Sequence, residues 1–244
     1  MRDTAIGSRA QGPLATVLRV AYTVPISHSP NMAIEAVIFD FGGVIIPGSP
    51  MSDVQPSPYG LVEQQFGLEH GALYRAMYLD NPVWLKLRVG EGTSDIWHAS
   101  VREALLELTD APTAQKVLGM LTKKDPAEFN EGMITLIKRL RRRYKVGLLS
   151  NAAPGLEDDL INHYQIYGLF NDVINSATVR LAKPDPKIFA LAASRLRVPI
   201  DHYFFTDDLL HNVEAARTAG MTAYQFDNCV GLTAALEAAG VRTR

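Results

Sequence analysis

Acidic residues close two apolar runs of the chain: Asp40 follows Ala36-Val-Ile-Phe39, and Asp207 with Asp208 follows Tyr203-Phe-Phe-Thr206. A third run, Val146-Gly-Leu-Leu149, is closed by Ser150 and Asn151, and Lys183 lies in the loop Arg180-Leu-Ala-Lys-Pro-Asp-Pro186. Carboxylates on neighbouring strands suit a hard divalent cation such as Mg²⁺, and a lysine with a hydroxyl can hold a phosphate on the other side of that cation. Asp40 is then free to attack phosphorus as a nucleophile.

Such chemistry requires that the runs lie side by side. The runs 33–40, 146–150, 173–176, 203–207 and 222–226 read as buried strands. Between the later ones, Glu157 to Tyr164, Lys187 to Leu196 and Asn212 to Ala219 repeat apolar residues at three and four spacing, and Asp185-Pro186 is a helix N-cap followed by Pro at the first position. This alternation predicts an α/β fold, a doubly wound, Rossmann-like parallel sheet with helices on both faces. Ligands of such sheets gather beyond the carboxyl ends of the strands, where the residues above fall. From Gly48 to about Asn130 the alternation stops. Helical patterns there, at Tyr59 to Phe66, Ala72 to Tyr78, Asp95 to Leu108 and Thr113 to Leu121, predict an all-helical insertion after the first strand.

Composition removes several alternatives. The 244 residues are 47% hydrophobic and 20% charged, which excludes global disorder. A formal net charge of −2 gives no general attraction for nucleic acid or an anionic membrane. The dense basic stretch Lys138 to Lys145 is read as the solvated end of a helix whose apolar face is Ile134, Ile137, Leu140 and Tyr144. One cysteine, Cys229, allows no intrachain disulfide, so a reducing cytoplasm is expected. The six histidines form no pair at metal-ligand spacing, which argues against zinc. Phosphate-loop, nucleophile-elbow and dinucleotide fingerprints are also missing from the sequence. Residues 1–32 read as a disordered extension, with Met32 an alternative start; the run Pro13 to Ile26 is too short and interrupted to span a bilayer.

In order and placement, four segments resemble the motifs of the haloacid dehalogenase superfamily: Asp40-Phe-Gly-Gly-Val-Ile45, Leu148-Leu-Ser-Asn151, Lys183-Pro184, and Phe204-Phe-Thr-Asp-Asp-Leu-Leu-His-Asn212. The resemblance covers about residues 34–226 and implies a core over 33–50 and 130–244 with a helical cap over 51–129. Trp84-Leu-Lys-Leu-Arg-Val-Gly-Glu-Gly-Thr93 is similar to the cap segment of a subgroup with sugar-phosphate phosphatases and phosphatase-like domains fused to soluble epoxide hydrolases and some acyl-CoA dehydrogenases. Trp84 itself is expected in cap core, and Lys86 and Arg88 in solvent. The resemblance further implies Asp40 as nucleophile, Mg²⁺ ligated by Asp40, Asp208, Asp207 and the carbonyl of Gly42, and phosphate contacts from Ser150, Asn151 and Lys183. The implied substrate is a small phosphorylated metabolite.

The chain departs from the phosphatase pattern at one place. Two residues after the nucleophile, those phosphatases usually carry a second Asp as general acid, and here Gly42 stands. Loss of general acid help removes about 10²- to 10⁴-fold in rate unless the leaving group is good, as an anomeric or acyl phosphate is, or another group substitutes. His211 is close in sequence but reads as an ordinary helix-start residue. The 2-haloacid dehalogenase branch, which uses the same Asp on carbon, usually has Tyr in place of Gly42 and lacks the acidic pair.

Overall fold

The computed structural model describes residues 33–46, 58–121 and 129–244. The expected extension over 1–32 and the junctions 47–57 and 122–128 lie outside the described residues. In chain order the elements are β1 (Ala36–Phe39), α1 (Pro58–Phe66), α2 (Ala72–Tyr74), α3 (Pro82–Leu87), α4 (Ser94–Leu108), α5 (Ala111–Leu121), α6 (Glu131–Leu140), β2 (Lys145–Ser150), α7 (Leu156–Asn162), β3 (Asp172–Asn175), α8 (Ser176–Val179), α9 (Pro186–Leu196), β4 (Tyr203–Asp207), α10 (Leu210–Thr218), β5 (Thr222–Gln225) and α11 (Cys229–Ala238). The strands form one parallel sheet in the order β3-β2-β1-β4-β5.

Period-two alternation divides each central strand between two cores. Val37 and Phe39 of β1, with Phe204 of β4, pack against α6, α7 and α11, whereas Ala36 and Ile38, with Tyr203 and Phe205, pack against α9 and α10. Both faces are therefore dry, which is why these strands read as unbroken apolar runs. Phe39, Phe204 and Phe205 are fully buried, and truncating any one to Ala is expected to cost about 3–5 kcal/mol. The helices α1 to α5 do not share these cores. Val62, Leu73, Met77, Val101, Leu105 and Val117 form a separate apolar cluster between them.

Element boundaries differ from the sequence reading where side chains cap the backbone. Ser176 opens α8 rather than closing a strand, because the Asn175 side chain accepts from the Ala177 N–H at 3.1 Å and starts the turn. The helix carrying the basic stretch ends at Leu140, and Lys145 already belongs to β2, its ammonium donating to the Leu196 carbonyl at 2.7 Å. The segment Ala72 to Tyr78 is not one α-helix: α2 passes after Tyr74 into a π-helical turn over Arg75–Leu79. Helix α3 carries no sequence expectation of its own; Asn81 starts it by accepting from the Val83 and Trp84 N–H groups.

Candidate active site

Parallel pairing brings the strand ends to one level. Phe39 lies opposite Leu148 of β2 and Thr206 of β4, so Asp40, Ser150 and Asp207 emerge together at the carboxyl edge. The Asp40 N–H donates to the Thr206 carbonyl at 2.9 Å and extends the ladder into the loop. Lys183, only 1% exposed, sits at the centre of the group. Its ammonium lies 2.8 Å from Asp40 Oδ1 and 2.6 Å from Asp207 Oδ2, and donates to the Leu149 carbonyl at 2.9 Å. Asn151 holds the lysine's backbone from both sides: its Nδ2 donates to the Lys183 carbonyl and its Oδ1 accepts from the Lys183 N–H, each at 2.9 Å. The Asn151 side chain is thus engaged in positioning Lys183.

The acidic pair divides in two. Asp207 is fully buried and saturated: Oδ1 accepts from the Leu209 N–H at 2.9 Å and Asn212 Nδ2 at 3.0 Å, and Oδ2 accepts from Lys183. Asp208 instead lines a cavity together with Asp40, Gly42, Ser150, Asn151 and Lys183. Gly43 makes room for Asp208. Its φ is +79°, and a Cβ there would fall 2.3 Å from Asp208 Oδ2. Among the described residues Gly42 is under no such constraint, since a Cβ at that position meets none of their atoms within 4 Å. The missing side chain at 42 is therefore not a steric requirement of the fold.

Three buried carboxylates face one ammonium. Burial first, and then the charge on Asp207, push the Asp40 carboxyl from 3.8 up to about 6, against the pull of Lys183. Burial alone would lower the Lys183 ammonium; the charges of Asp207 and Asp40 outweigh it and raise the group. One oxygen from each of Asp40, Asp207 and Asp208 lies within 4.8 Å of the other two. An all-oxygen donor set with negative charge beyond what one lysine neutralises fits a hard divalent cation of the Mg²⁺ type.

Facing these groups across a cavity of about 520 Å³ stand Tyr59, Tyr74, Tyr78, Trp84, Trp97 and Arg88 from the inserted helices. The five rings are contiguous, with Tyr74–Tyr78 centroids 5.0 Å apart, Tyr78–Trp84 4.9 Å and Trp84–Trp97 5.2 Å. Glu63 fixes the start of α2 by accepting from the Gly71 and Leu73 N–H groups at 2.8 and 2.9 Å, which orients Tyr74. Burial, then the charges of Asp208 and Asp40, push the Tyr74 hydroxyl above its ordinary range. Trp84 is buried, as expected, and also borders the cavity, whereas Arg88 is half-buried on the wall rather than in solvent, which corrects that expectation. Lys86 is exposed, as expected. His211, in the first turn of α10, also borders the cavity.

Comparison with known proteins gives this arrangement a family. The sequence profile of haloacid dehalogenase-like hydrolases matches residues 34–220. The chain is 36% identical over 88 residues to phosphatase MT3486 of Mycobacterium tuberculosis (strain CDC 1551 / Oshkosh), covering 36% of this chain and 41% of that protein. It is 26% identical over 212 residues to acyl-CoA dehydrogenase family member 10 of Mus musculus, covering 82% of this chain and 18% of that protein. The chain thus spans less than half the length of either relative. A third relative, the (S)-2-haloacid dehalogenase of Pseudomonas sp. (strain YL), is 26% identical over 196 residues, 77% of this chain and 80% of that protein.

Two solved structures share the fold. A HAD family enzyme of Bacteroides thetaiotaomicron, a mutant in complex with magnesium and inorganic phosphate, superposes with a TM-score of 0.57 at 18% identity over 79% of this chain and 94% of that one. The L-2-haloacid dehalogenase of Xanthobacter autotrophicus, with chloropropionic acid covalently bound, gives 0.52 at 19% identity over 78% and 76%. Among the described residues no helix is long and apolar enough to cross a membrane.

Proposed function

Because the chain belongs to the haloacid dehalogenase-like hydrolases, and is a hydrolase of that superfamily, we propose that it hydrolyses a small-metabolite phosphomonoester through an aspartyl-phosphate on Asp40. The observation that carries this reading is the cluster of three buried carboxylates around Lys183, open to the cavity at Asp40 and Asp208. The acidic pair favours a phosphoryl substrate over a carbon electrophile, which needs no metal.

Lys183 fixes the Asp40 carboxylate and favours its ionised form against the burial that raises the group. Asp40 attacks phosphorus as the bond from phosphorus to the ester oxygen breaks and the leaving oxygen takes a proton from solvent, while Ser150 donates a hydrogen bond to a phosphoryl oxygen, with the backbone at Asn151 beside it. Water then attacks the aspartyl-phosphate, releasing inorganic phosphate and restoring the carboxylate. Asp40 and Asp208, with the Gly42 carbonyl and Asp207, would hold Mg²⁺, which when bound would offset the charge gathering on the phosphoryl oxygens. The inserted helices over 51–129 act as a cap on the core formed by 33–50 and 130–244. A single cysteine supports a cytoplasmic setting.

Phosphate release from a panel of metabolite phosphates, with Mg²⁺ and with EDTA, tests the proposal. Activity that disappears in EDTA is expected. Undiminished activity in EDTA, or chloride release from 2-chloropropionate in place of phosphate release, contradicts it. Gly42→Asp adds a second arm: among the described residues a Cβ at position 42 meets no atom within 4 Å, and turnover of alkyl phosphates is expected to rise by about 10²-fold or more.

A further inference from the structure

The wall opposite Asp40 has a composition that selects among phosphate esters. The Tyr59 and Tyr78 hydroxyls share one hydrogen bond at 3.0 Å, and Trp97 Nε1 donates to the Met77 carbonyl at 2.9 Å. Leu79 and Leu85, 39% and 42% exposed, open onto the same space. A sugar, whose every hydroxyl needs a partner, finds among the hydroxyls of this wall only that of Tyr74 and what the Tyr59–Tyr78 pair has left, whereas a flat apolar ring finds five ring faces and edges to pack on. Aromatic walls also bind quaternary ammonium groups, but here a guanidinium stands in the wall and repels a cation. That guanidinium is Arg88, and among the described residues its Nε is buried without a hydrogen-bond partner. Gly90, at φ +78°, holds it over the site: a Cβ there would come within 2.5 Å of the Ala177 carbonyl, so the bare backbone lets the end of α3 rest on α8.

We propose that this half of the cavity is a subsite for an aromatic leaving group bearing a carboxylate or similar acceptor, packed on the Tyr78–Trp84–Trp97 rings and read by Arg88. The inference rests on the phosphatase reading and specifies its substrate as an aryl phosphomonoester. It also accounts for Gly42. A phenol ionises near pH 10, against about 16 for water, so a phenolate leaves without a side-chain proton donor. The bond from Asp40 to phosphorus forms as the phosphorus–aryl oxygen bond breaks, the phenolate takes a proton from solvent, and water hydrolyses the aspartyl-phosphate to inorganic phosphate.

The test measures kcat/KM of the full chain with Mg²⁺ on 4-carboxyphenyl phosphate, phenyl phosphate, glucose 6-phosphate, phosphocholine and acetyl phosphate. The carboxyphenyl ester is expected to exceed phenyl phosphate by at least about tenfold, and Arg88→Met to bring that ratio near one. A higher kcat/KM for glucose 6-phosphate or phosphocholine than for both aryl esters overturns the proposal, as does a ratio that survives in Arg88→Met. Arg88→Lys, which keeps the charge but lacks Nε, serves if the Met variant does not fold. Binding is read separately. The chain's two tryptophans, Trp84 and Trp97, both border the cavity. Their emission in Asp40→Asn is expected to be quenched by 4-carboxyphenyl phosphate and not by acetyl phosphate; no quenching by the aryl ester contradicts the subsite. Phosphate release from acetyl phosphate without aryl preference defeats the subsite alone, whereas release from no ester in the panel defeats the phosphatase reading and leaves the fluorescence result to judge the subsite.

Discussion

On the sheet side of the cavity, polar groups from three strand ends and one loop are bonded to one another: Lys183 reaches Asp40, Asp207 and Leu149, and Asn151 clamps Lys183 in turn. On the helix side, five rings from α1, α2 with its π-helical turn, α3 and α4 meet edge to face or tilted, and one guanidinium nitrogen has no hydrogen-bond partner among the described residues. The sheet side is preorganised for charge and tolerates little change, because each group's removal strands another in a dry site. The helix side is held by packing, which degrades gradually and can be remodelled for a different leaving group. The proposed function therefore divides chemistry from selectivity between the two walls, and variants on them should fail differently.

The largest effect is expected from Lys183→Met. It leaves Asp40 and Asp207 buried without their cation, so denaturant unfolding should show a loss of about 3–5 kcal/mol, with phosphate release falling to background. Retention of wild-type stability would mean that the sheet wall is less tightly coupled than its distances imply. Next comes Gly43→Ala, which drives a methyl group into Asp208. Mg²⁺ affinity, measured by calorimetry, should weaken by about 10- to 100-fold with the sheet intact by circular dichroism. On the opposite wall, Trp97→Leu should raise KM for an aryl phosphate several-fold and change kcat far less, the pattern of lost ground-state binding. A kcat collapse there would erase the distinction between the walls.

The smallest effect is a pH-dependent shift in Tm. In the metal-free protein Asp40 holds its proton up to about 6, against 3.8 for the ordinary group. The folded chain binds that proton more tightly than the unfolded chain, so this contribution to stability is fully present below 3.8 and is lost as the pH rises through 6. Mg²⁺ favours the ionised carboxylate. The gain in Tm on adding Mg²⁺ should then be a few degrees larger at about pH 7.5 than at about pH 5, by differential scanning fluorimetry.

The two walls also differ in how far they can be read from sequence. Asp40, Ser150, Asn151 and Asp207 each follow directly on an apolar run, and a parallel sheet turns that local fact into proximity. Lys183 and Asp208 follow from the same edge, but the division of labour between Asp207 and Asp208 depends on Asn212 and the Leu209 N–H, which no pattern marks. Tyr59, the Tyr74–Tyr78 pair and Trp97 come from three separate segments, and each satisfies the spacing of an ordinary buried helix face. Tyr74 and Tyr78, four residues apart, are neighbours on any helix, but the π-helical turn at Arg75–Leu79 that carries Tyr78 is invisible to a 3.6-residue period. Arg88 sits in a stretch that reads as exposed until Gly90 meets Ala177.

Covalent capture tests the central claim most directly. The full chain with Mg²⁺ is mixed with a phosphomonoester that it turns over, quenched in acid within the first turnover, and its peptides are mapped by mass spectrometry. A phosphoryl group on Asp40, absent in Asp40→Asn, is the predicted result. Phosphate release with Asp40 unmodified throughout, or with the phosphoryl group on another residue, would contradict the account.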